Sequence, residues 1–428
     1  QPALCYFFRR FPSTLRHLAR MRIFRHISDV FQPGSGALAF FTSIVIWGIG
    51  IGCFMAAVNN FLAEIHEMGK LERGWLEFFR EMPGVLLVLL LAVLHRFSDW
   101  KVLRLGTLVS MVGVALLCVP ASKALVTFLI MIWSTGEHLV MPVRTAIAMQ
   151  VAKPGKAGQS LGLVTATMNA GTVLGSMIVA AIFWIGVNRL AINNRLILYN
   201  IVWGMIFALM LVSFVCTFTR NAPETVSKRP RLYFNRKFTI FYLLELFYGA
   251  RKQVFMTFAP YVLIVYYDLQ TSQVALLMGI CAAVNIFGGP LIGRLTDRVG
   301  YRNVMIYDTV VLFFVCLLYG FADQLFPARI AVVVVCVNFL LDAVISTTTL
   351  AASLYVRDIT SCREEVTSTL ATGISINHVI SIAAGPLGGW VWQQWGIAML
   401  FSFSALMALA NTLCAMMIPK PRRVRRLG

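Results

Sequence analysis

Ionisable side chains inside a long apolar stretch are the feature of this sequence with the clearest chemical meaning. Glu245, Tyr248, Arg251 and Lys252 lie within the apolar run 238–266. In a helix Glu245, Tyr248 and Lys252 would share one face, with Arg251 about 100° away. A buried cation can bind an anionic or carboxylate-bearing molecule, and a buried acid can bind and release a proton. We therefore predict that Arg251, Lys252 and Tyr248 bind substrate and that Glu245 takes part in proton coupling.

Polar side chains recur in other apolar runs at depths close to that of Glu245. Run 329–349 carries Asn338 and Asp342 one helical turn apart, and run 366–391 carries Asn377 and His378. We expect such side chains to converge on a central cavity. The predicted substrate-binding set therefore also includes Asn338, Asn377, Asn285 and Asn169. The predicted proton-coupling set also includes Asp342, Glu137 and His378.

A purely structural role is the alternative for each of these residues. Glu245 could pair with Lys252, and Asp342 with Arg251, as fixed buried ion pairs. Asparagines in the middle of a span more often hydrogen-bond to a neighbouring helix than to a substrate. Both kinds of role stay open at the level of the sequence.

The composition indicates an integral membrane protein. The chain of 428 residues is 59% hydrophobic and 13% charged, whereas soluble domains are about 45–50% apolar and about 25% charged. Runs of about 20 apolar residues can cross a bilayer as helices, and these runs lack the alternation of barrel strands. We number them as spans one to twelve: 38–62, 75–95, 102–121, 124–145, 159–185, 196–218, 238–266, 273–293, 303–322, 329–349, 366–391 and 396–418.

The placement of basic residues orients the spans. Most of the 37 Lys and Arg residues lie in segments that share one side of the membrane if both termini are cytoplasmic. This bias accounts for the net charge of +19 without nucleic-acid binding. We predict a multi-pass cell-membrane protein with a basic arm at 1–37, six-helix bundles at 38–218 and 238–418, a cytoplasmic linker at 219–237 and a basic tail at 419–428. The tail is expected to contact anionic lipid headgroups.

No cofactor or metal site is predicted. The nine cysteines are mostly single within apolar runs, and no CxxC or Cys/His spacing occurs, which is typical of small buried hydrophobic residues. The sequence also lacks HExxH and GxxxxGK[ST] patterns. These absences argue against an enzyme and against an ATP-driven pump within this chain.

The stretch Gly289–Arg302 is the most distinctive local pattern. It reads Gly-Pro-Leu-Ile-Gly-Arg-Leu-Thr-Asp-Arg-Val-Gly-Tyr-Arg, and its glycines and proline predict a tight charged turn between spans eight and nine. A degraded copy, His-Arg-Phe-Ser-Asp-Trp-Lys, follows span two at 95–101. Ser160 and Ser368 likewise open spans five and eleven, each followed nine residues later by an asparagine. The halves therefore look like parallel repeats.

The same stretch resembles the Gly-x-Leu-x-x-Arg-x-x-Asp-Arg-x-Gly-x-Arg signature of the major facilitator superfamily, which follows span two and recurs after span eight. Here the second copy is the better preserved one. The first has Ala92 in place of Arg, His95 in place of Asp and Ser98 in place of Gly. The resemblance implies an all-α membrane protein with twelve helices in two pseudo-symmetric six-helix bundles, and a secondary transporter that works by alternating access. It does not name a substrate.

A cytoplasmic latch is the physical role predicted for the motif. Asp297 can face the positive N-terminal end of a neighbouring helix and an arginine such as Arg357, which would hold the inner helix ends together in the outward-open state. The predicted latch residues are Gly289, Arg294, Asp297, Arg298, Gly300, Arg302 and Arg357. The alternative is that the arginines only set the topology and that Asp297 only caps a turn.

Two further patterns have competing interpretations. The glycines of 385–389 resemble a motif that drug/proton antiporters of the family carry on span five. Here they lie on span eleven, which favours close helix packing instead. In span two, Glu77 and Arg80 are one turn apart and are placed near the outer surface. With Glu64 they would form an outer gate, although a local helical ion pair is the simpler account.

The combined patterns predict a monomeric secondary transporter that moves a small organic, anionic solute and is coupled to protons. A passive facilitator and a drug/proton exporter of the same fold are the alternatives, followed by a non-transporting membrane sensor. Three acids near mid-membrane favour proton coupling over passive transport.

Overall fold

The computed structural model describes residues 29–119, 122–218, 233–360 and 363–419. Regular structure in these residues is helical, apart from an isolated bridge between Phe31 and Ala152. Long apolar runs form helices because a helix satisfies its own backbone polar groups, as a lipid environment requires. The predicted all-α membrane fold is confirmed.

Most spans of the N-terminal half, which we define as spans one to six, are single helices. Spans one, three, four, five and six are Ala37–Glu64, Asp99–Ala115, Lys123–Gln150, Ala157–Asn188 and Arg195–Cys216. Span two is divided at Leu86 into Lys70–Val85 and Leu87–Val93. Pro83 lies just before this division, where its missing N–H weakens the helix.

The C-terminal half comprises spans seven to twelve. Spans seven, eight and nine are Thr239–Val265, Thr271–Val299 and Tyr301–Leu325. Span ten consists of Ala328–Ile345, a 3₁₀ turn at Ser346–Thr348 and the helix Thr349–Ile359. Spans eleven and twelve form Arg363–Met416, which is interrupted at Gly396, where φ is 83° and ψ is −179°.

Nine helices of the described residues are long and apolar enough to cross a membrane. Span two is not among them because it is divided into helices of 16 and 7 residues, and span seven is not because of its charged residues. Spans eleven and twelve count as one helix. The observed helices are therefore consistent with twelve spans.

The predicted turn at Gly289–Arg302 is wrong for most of its length. Span eight continues through this stretch to Val299, and the chain turns only at Gly300, whose φ is 85°. Gly293 and its neighbours are helical, since a single glycine costs a helix only about 1 kcal/mol relative to alanine. Glycine is needed at position 300 because L side chains rarely adopt a positive φ.

The apolar cores follow the two halves. One core is formed almost wholly by spans one to six, where Phe54 stacks on Trp133 with ring centroids 3.6 Å apart and also contacts Trp203. Two further cores lie within spans seven to twelve. Each half thus has its own packed interior.

The two ends of the bundle differ in how the halves meet. We call the end near Phe218 and Phe238, which flank the linker 219–237, the linker end, and the opposite end the far end. At the far end, the Tyr199 hydroxyl of span six lies 2.9 Å from the Thr271 hydroxyl of span eight, and both hydroxyls bond to Glu64 of span one. This network ties the halves together at the far end.

Glycines allow spans two and eleven to approach closely at the same end. A Cβ atom at Gly74 would lie 2.4 Å from the carbonyl oxygen of Gly385, and one at Gly389 would lie 2.6 Å from that of Lys70. Such distances are shorter than any ordinary contact, so the two backbones pack without side chains between them. The glycines of span eleven therefore serve close packing, which was the favoured interpretation.

Candidate functional site

Four charged residues of span two are buried where the halves meet. Arg73 Nη1 lies 2.5 Å from Glu77 Oε1, and Arg80 Nε lies 2.7 Å from Glu77 Oε2. Arg80 also pairs with Glu81. Glu77 is only 2% exposed, so it lies inside the bundle, and the outer-gate role stays a prediction. The local ion pair between them is present, but as part of a longer buried chain of charges.

Two contacts join this chain to the C-terminal half. Gln253 Nε2 of span seven donates to Glu77 Oε2 at 2.9 Å, and His378 Nδ1 of span eleven lies 2.9 Å from Glu81 Oε2. His138 of span four packs against His378 with ring centroids 5.0 Å apart. We call these residues the inter-half cluster: Glu77, Arg80, Glu81, His138, Gln253 and His378.

Lys252 lies at the same boundary. It is half-buried, and its charge interacts with Glu81 and Arg80 of the N-terminal half and with Glu245 of its own helix. Among the described residues no carboxylate forms an ion pair with its ammonium group, whereas Arg73 and Arg80 are both paired. Lys252 is therefore a basic residue at the interface between the halves that forms no ion pair with a described carboxylate.

Arg251 points instead into the C-terminal half. Its guanidinium forms an ion pair with Asp342 and lies 5.2 Å from the centre of the Tyr248 ring. Only 2% of Arg251 is exposed. This arrangement corresponds to the structural alternative for Arg251 and Asp342, because the pair satisfies both charges internally.

A small cavity of about 40 Å³ lies beside this ion pair. Its lining includes Glu245, Tyr248, Arg251 and Asp308. Thr348 donates to one oxygen of Asp308, and the other oxygen has no partner among the described residues. At roughly 15 Å³ per water, the cavity has room for about two or three water molecules.

Other predicted site residues occupy separate positions. Asn377 Nδ2 donates to Glu245 Oε2 at 3.4 Å, and Glu245 does not form the ion pair with Lys252 that was the structural alternative. Asn338 is buried and its amide nitrogen has no partner among the described residues. Glu137 is half-buried, with Arg80 as the largest charge acting on it. Two further asparagines are half-buried in spans five and eight: Asn169 and Asn285.

The predicted latch residues lie at the linker end. Asp297, Arg294 and Arg298 are exposed. Arg302 donates to the carbonyl oxygens of Ile418 at 2.7 Å and Met416 at 3.0 Å. Arg357 Nη2 lies 3.4 Å from Asp358. None of these contacts tests the latch, which stays a prediction.

Four residues of the site were not predicted: Arg73, Glu81, Gln253 and Asp308. Their signal was present in span two, because positions 73, 77 and 81 fall on one helix face at i, i+4 and i+8. A face of charges at that spacing within an apolar run indicates a buried network.

Solved structures with a similar fold include three transporters of low sequence identity. The nucleoside transporter NupG covers 89% of this chain and 98% of its own, with 13% identity and a TM-score of 0.70. A POT family transporter in complex with a thioalcohol-conjugated peptide covers 88% and 94%, with 12% identity and a TM-score of 0.68. A bacterial homolog of the human lysosomal transporter Spinster covers 89% and 93%, with 12% identity and a TM-score of 0.63. At these identities the likeness shows the fold alone.

The sequence itself matches one family. No curated protein sequence matched the chain. The family model described as Major Facilitator Superfamily matches residues 40–361 and, in a second alignment, 241–427. These matches extend over both halves and include the motif at Gly289–Arg302. The chain therefore belongs to the Major Facilitator Superfamily, a family of membrane transporters rather than enzymes.

Proposed function

We propose that this protein is a proton-coupled secondary transporter of small carboxylate-bearing solutes. One observation carries the proposal: Lys252 is a half-buried cation between the halves that no described carboxylate pairs with. Charges at this depth are costly unless they are paired, so an unpaired cation is suited to binding an anionic ligand. Arg251 is assigned a structural role because Asp342 already neutralises it.

The far-end contacts support alternating access as the mechanism. The six-helix bundles 38–218 and 238–418 would rotate relative to each other, with the linker 219–237 between them. The observed arrangement, with the far end closed, is one of the two end states. In the other state the contacts of Glu77 with Gln253 and of Glu81 with His378 would separate, because each joins one half to the other.

Glu245 is the acid that we assign to proton binding. It lines the cavity in the C-terminal half and accepts a hydrogen bond from Asn377. A proton can therefore bind and leave without breaking an ion pair, which would not hold for Asp342 beside Arg251. Lys252 interacts with Glu245 along the same helix, so substrate binding and protonation can influence one another.

The proposed setting is the cell membrane, with both termini in the cytoplasm and the protein acting as a monomer. The linker end is then the cytoplasmic end, and the described state faces inward. Asp297 would engage its latch partners only when the far end opens, which agrees with its exposure in this state.

Uptake into proteoliposomes tests the proposal. A suitable panel contains small mono- and dicarboxylates, short peptides, 5-aminolevulinic acid and neutral nucleosides, because a peptide, 5-aminolevulinic acid and nucleosides are ligands or substrates named for transporters of this fold. We expect carboxylate-bearing compounds to enter faster when the outside is acidic. Transport of neutral nucleosides alone would contradict the proposed carboxylate specificity. A transport rate that does not change with the pH gradient would contradict proton coupling.

The variant Lys252→Ala tests whether the ammonium group of Lys252 binds the solute. We expect at least a ten-fold loss of initial uptake rate, with partial recovery in Lys252→Arg. The matched control is Lys156→Ala, a half-buried lysine in the loop between spans four and five. Equal rates in Lys252→Ala and Lys156→Ala would show that Lys252 does not bind the solute.

A further inference from the structure

Three potential metal ligands from three different spans meet between the halves. Glu81 of span two, His138 of span four and His378 of span eleven each offer one ligand atom, and these atoms all lie within 4.8 Å of one another. A zinc ion with bonds of about 2.0–2.1 Å holds its ligands within about 4.2 Å of each other. Small side-chain rotations would therefore bring the three groups to bonding distance.

Gly84 keeps the space between the two imidazoles open. A Cβ atom at this position would lie 2.6 Å from His378 Nδ1 and 2.8 Å from His138 Nε2. Both ring nitrogens therefore border one volume that a side chain at position 84 would fill. This geometry is independent of the position of Glu81.

The second nitrogen of His138 is oriented as in metal-binding histidines. Its Nδ1 lies 2.8 Å from the carbonyl oxygen of Ser134, which can only accept, so Nδ1 carries the proton. Nε2 is then the unprotonated nitrogen that faces the cluster. A ligating histidine almost always donates its other N–H to a carbonyl or carboxylate in this way.

The surrounding charges do not oppose a cation. Glu81 uses one oxygen for Arg80 and turns the other towards His378. The positive neighbours Arg73, Arg80 and Lys252 are matched by the negative Glu77, Glu81 and Glu137. Two imidazoles and one carboxylate form a set that zinc commonly uses, with a fourth position left for water or another ligand.

We propose that Glu81 Oε2, His138 Nε2 and His378 Nδ1 form a binding site for a divalent transition-metal ion of the zinc type. Glu81 and His138 belong to the N-terminal half and His378 to the C-terminal half, so a bound ion bridges the two. It therefore stabilises the far-end-closed state. Oxygen-preferring ions such as Mg²⁺ bind weakly because two of the three ligands are imidazoles.

Metal binding to the purified, tag-free full chain tests this site without any transport assay. After chelator treatment, isothermal titration with Zn²⁺ should give one tight site per chain, and Mg²⁺ should give none at the same concentrations. Substitution by Co²⁺ should produce the absorption of a tetrahedral nitrogen- and oxygen-ligated ion. We expect His138→Gln and His378→Gln each to weaken Zn²⁺ binding by about 10- to 100-fold or more.

His95→Gln is the matched control, because His95 is an exposed histidine outside the cluster. Zn²⁺ affinity equal to that of the parent in both His138→Gln and His378→Gln, or loss of affinity in His95→Gln instead, would overturn the proposal. If either cluster variant does not fold, the Co²⁺ spectrum of the parent protein decides: an octahedral spectrum, or no binding, would also overturn it. Failure of carboxylate transport would leave these readouts unchanged, so the two proposals are separable.

Discussion

The contact between Gly74 and Gly385 gives the sharpest test of the two-state arrangement. Gly74→Ala adds one methyl group to span two at the place where span eleven approaches most closely. The added Cβ would lie 2.4 Å from the Gly385 carbonyl oxygen, whereas an ordinary contact begins at 3.4 Å. Because the obstacle is backbone, no side chain can rotate away.

The size of the effect follows from that overlap. The helices must separate by the difference between 2.4 and 3.4 Å, about 1 Å, at a point where both are packed. Overpacking of this kind costs about 1–3 kcal/mol. If the far-end-open state does not carry the contact, the ratio of closed to open molecules should fall by about 5- to 150-fold.

Distance measurements between spin labels provide the assay. Cysteines introduced at the exposed far-end positions Asn193 and Gln324, one in each half, report the separation in a background without native cysteines. The control is Gly204→Ala in span six, where a Cβ would meet nothing within 4 Å. This control also carries the gain in helix propensity that any Gly→Ala change brings, about 1 kcal/mol. We expect a longer far-end distance in Gly74→Ala only.

A distance distribution in Gly74→Ala identical to that in Gly204→Ala would refute the reasoning. It would mean that the glycine contact does not limit closure of the far end. A shift of equal size in both variants would have the same meaning, since the control adds no clash.

Three further predictions follow from individual charges. Asp342→Asn should lower the free energy of unfolding by about 3–5 kcal/mol, because Arg251 would stay buried without a counter-charge; a denaturant titration showing less than about 1 kcal/mol would contradict this. Glu245→Gln should transport at a rate that no longer responds to an imposed pH gradient, and a retained response would assign the proton to another group. Asp297→Asn should slow uptake yet change stability by less than about 0.5 kcal/mol, because Asp297 is exposed in the far-end-closed state; unaltered uptake would argue against the latch.

The membrane fold could be predicted from sequence because its signal is local. Apolar runs of spanning length mark each helix, and the motif at Gly289–Arg302 indicates the family. Helix ends were less accurate, since span eight continues to Val299 through glycines that were expected to form a turn. A glycine permits the backbone conformations of a turn but does not require the chain to adopt them.

The site was harder to predict because its contacts are non-local. His378 and Glu81 are separated by 297 positions, so no spacing in the sequence relates them. The start of span two also differs from the predicted 75: its helix begins at Lys70, which places Glu81 near the middle of Lys70–Val93. The direction of Arg251, away from Lys252 and into the C-terminal half, depends on Asp342 of another span.

Gly396 has a mechanical consequence for the C-terminal half. It is the only non-helical residue between spans eleven and twelve, so the connection has almost no slack. At the linker end Arg302 holds the carbonyl oxygens of Met416 and Ile418, which fastens the end of span twelve to the start of span nine. Spans nine, eleven and twelve should thus move together, so that a shift of span eleven at Gly385 would also displace Arg302 of the family motif at the linker end.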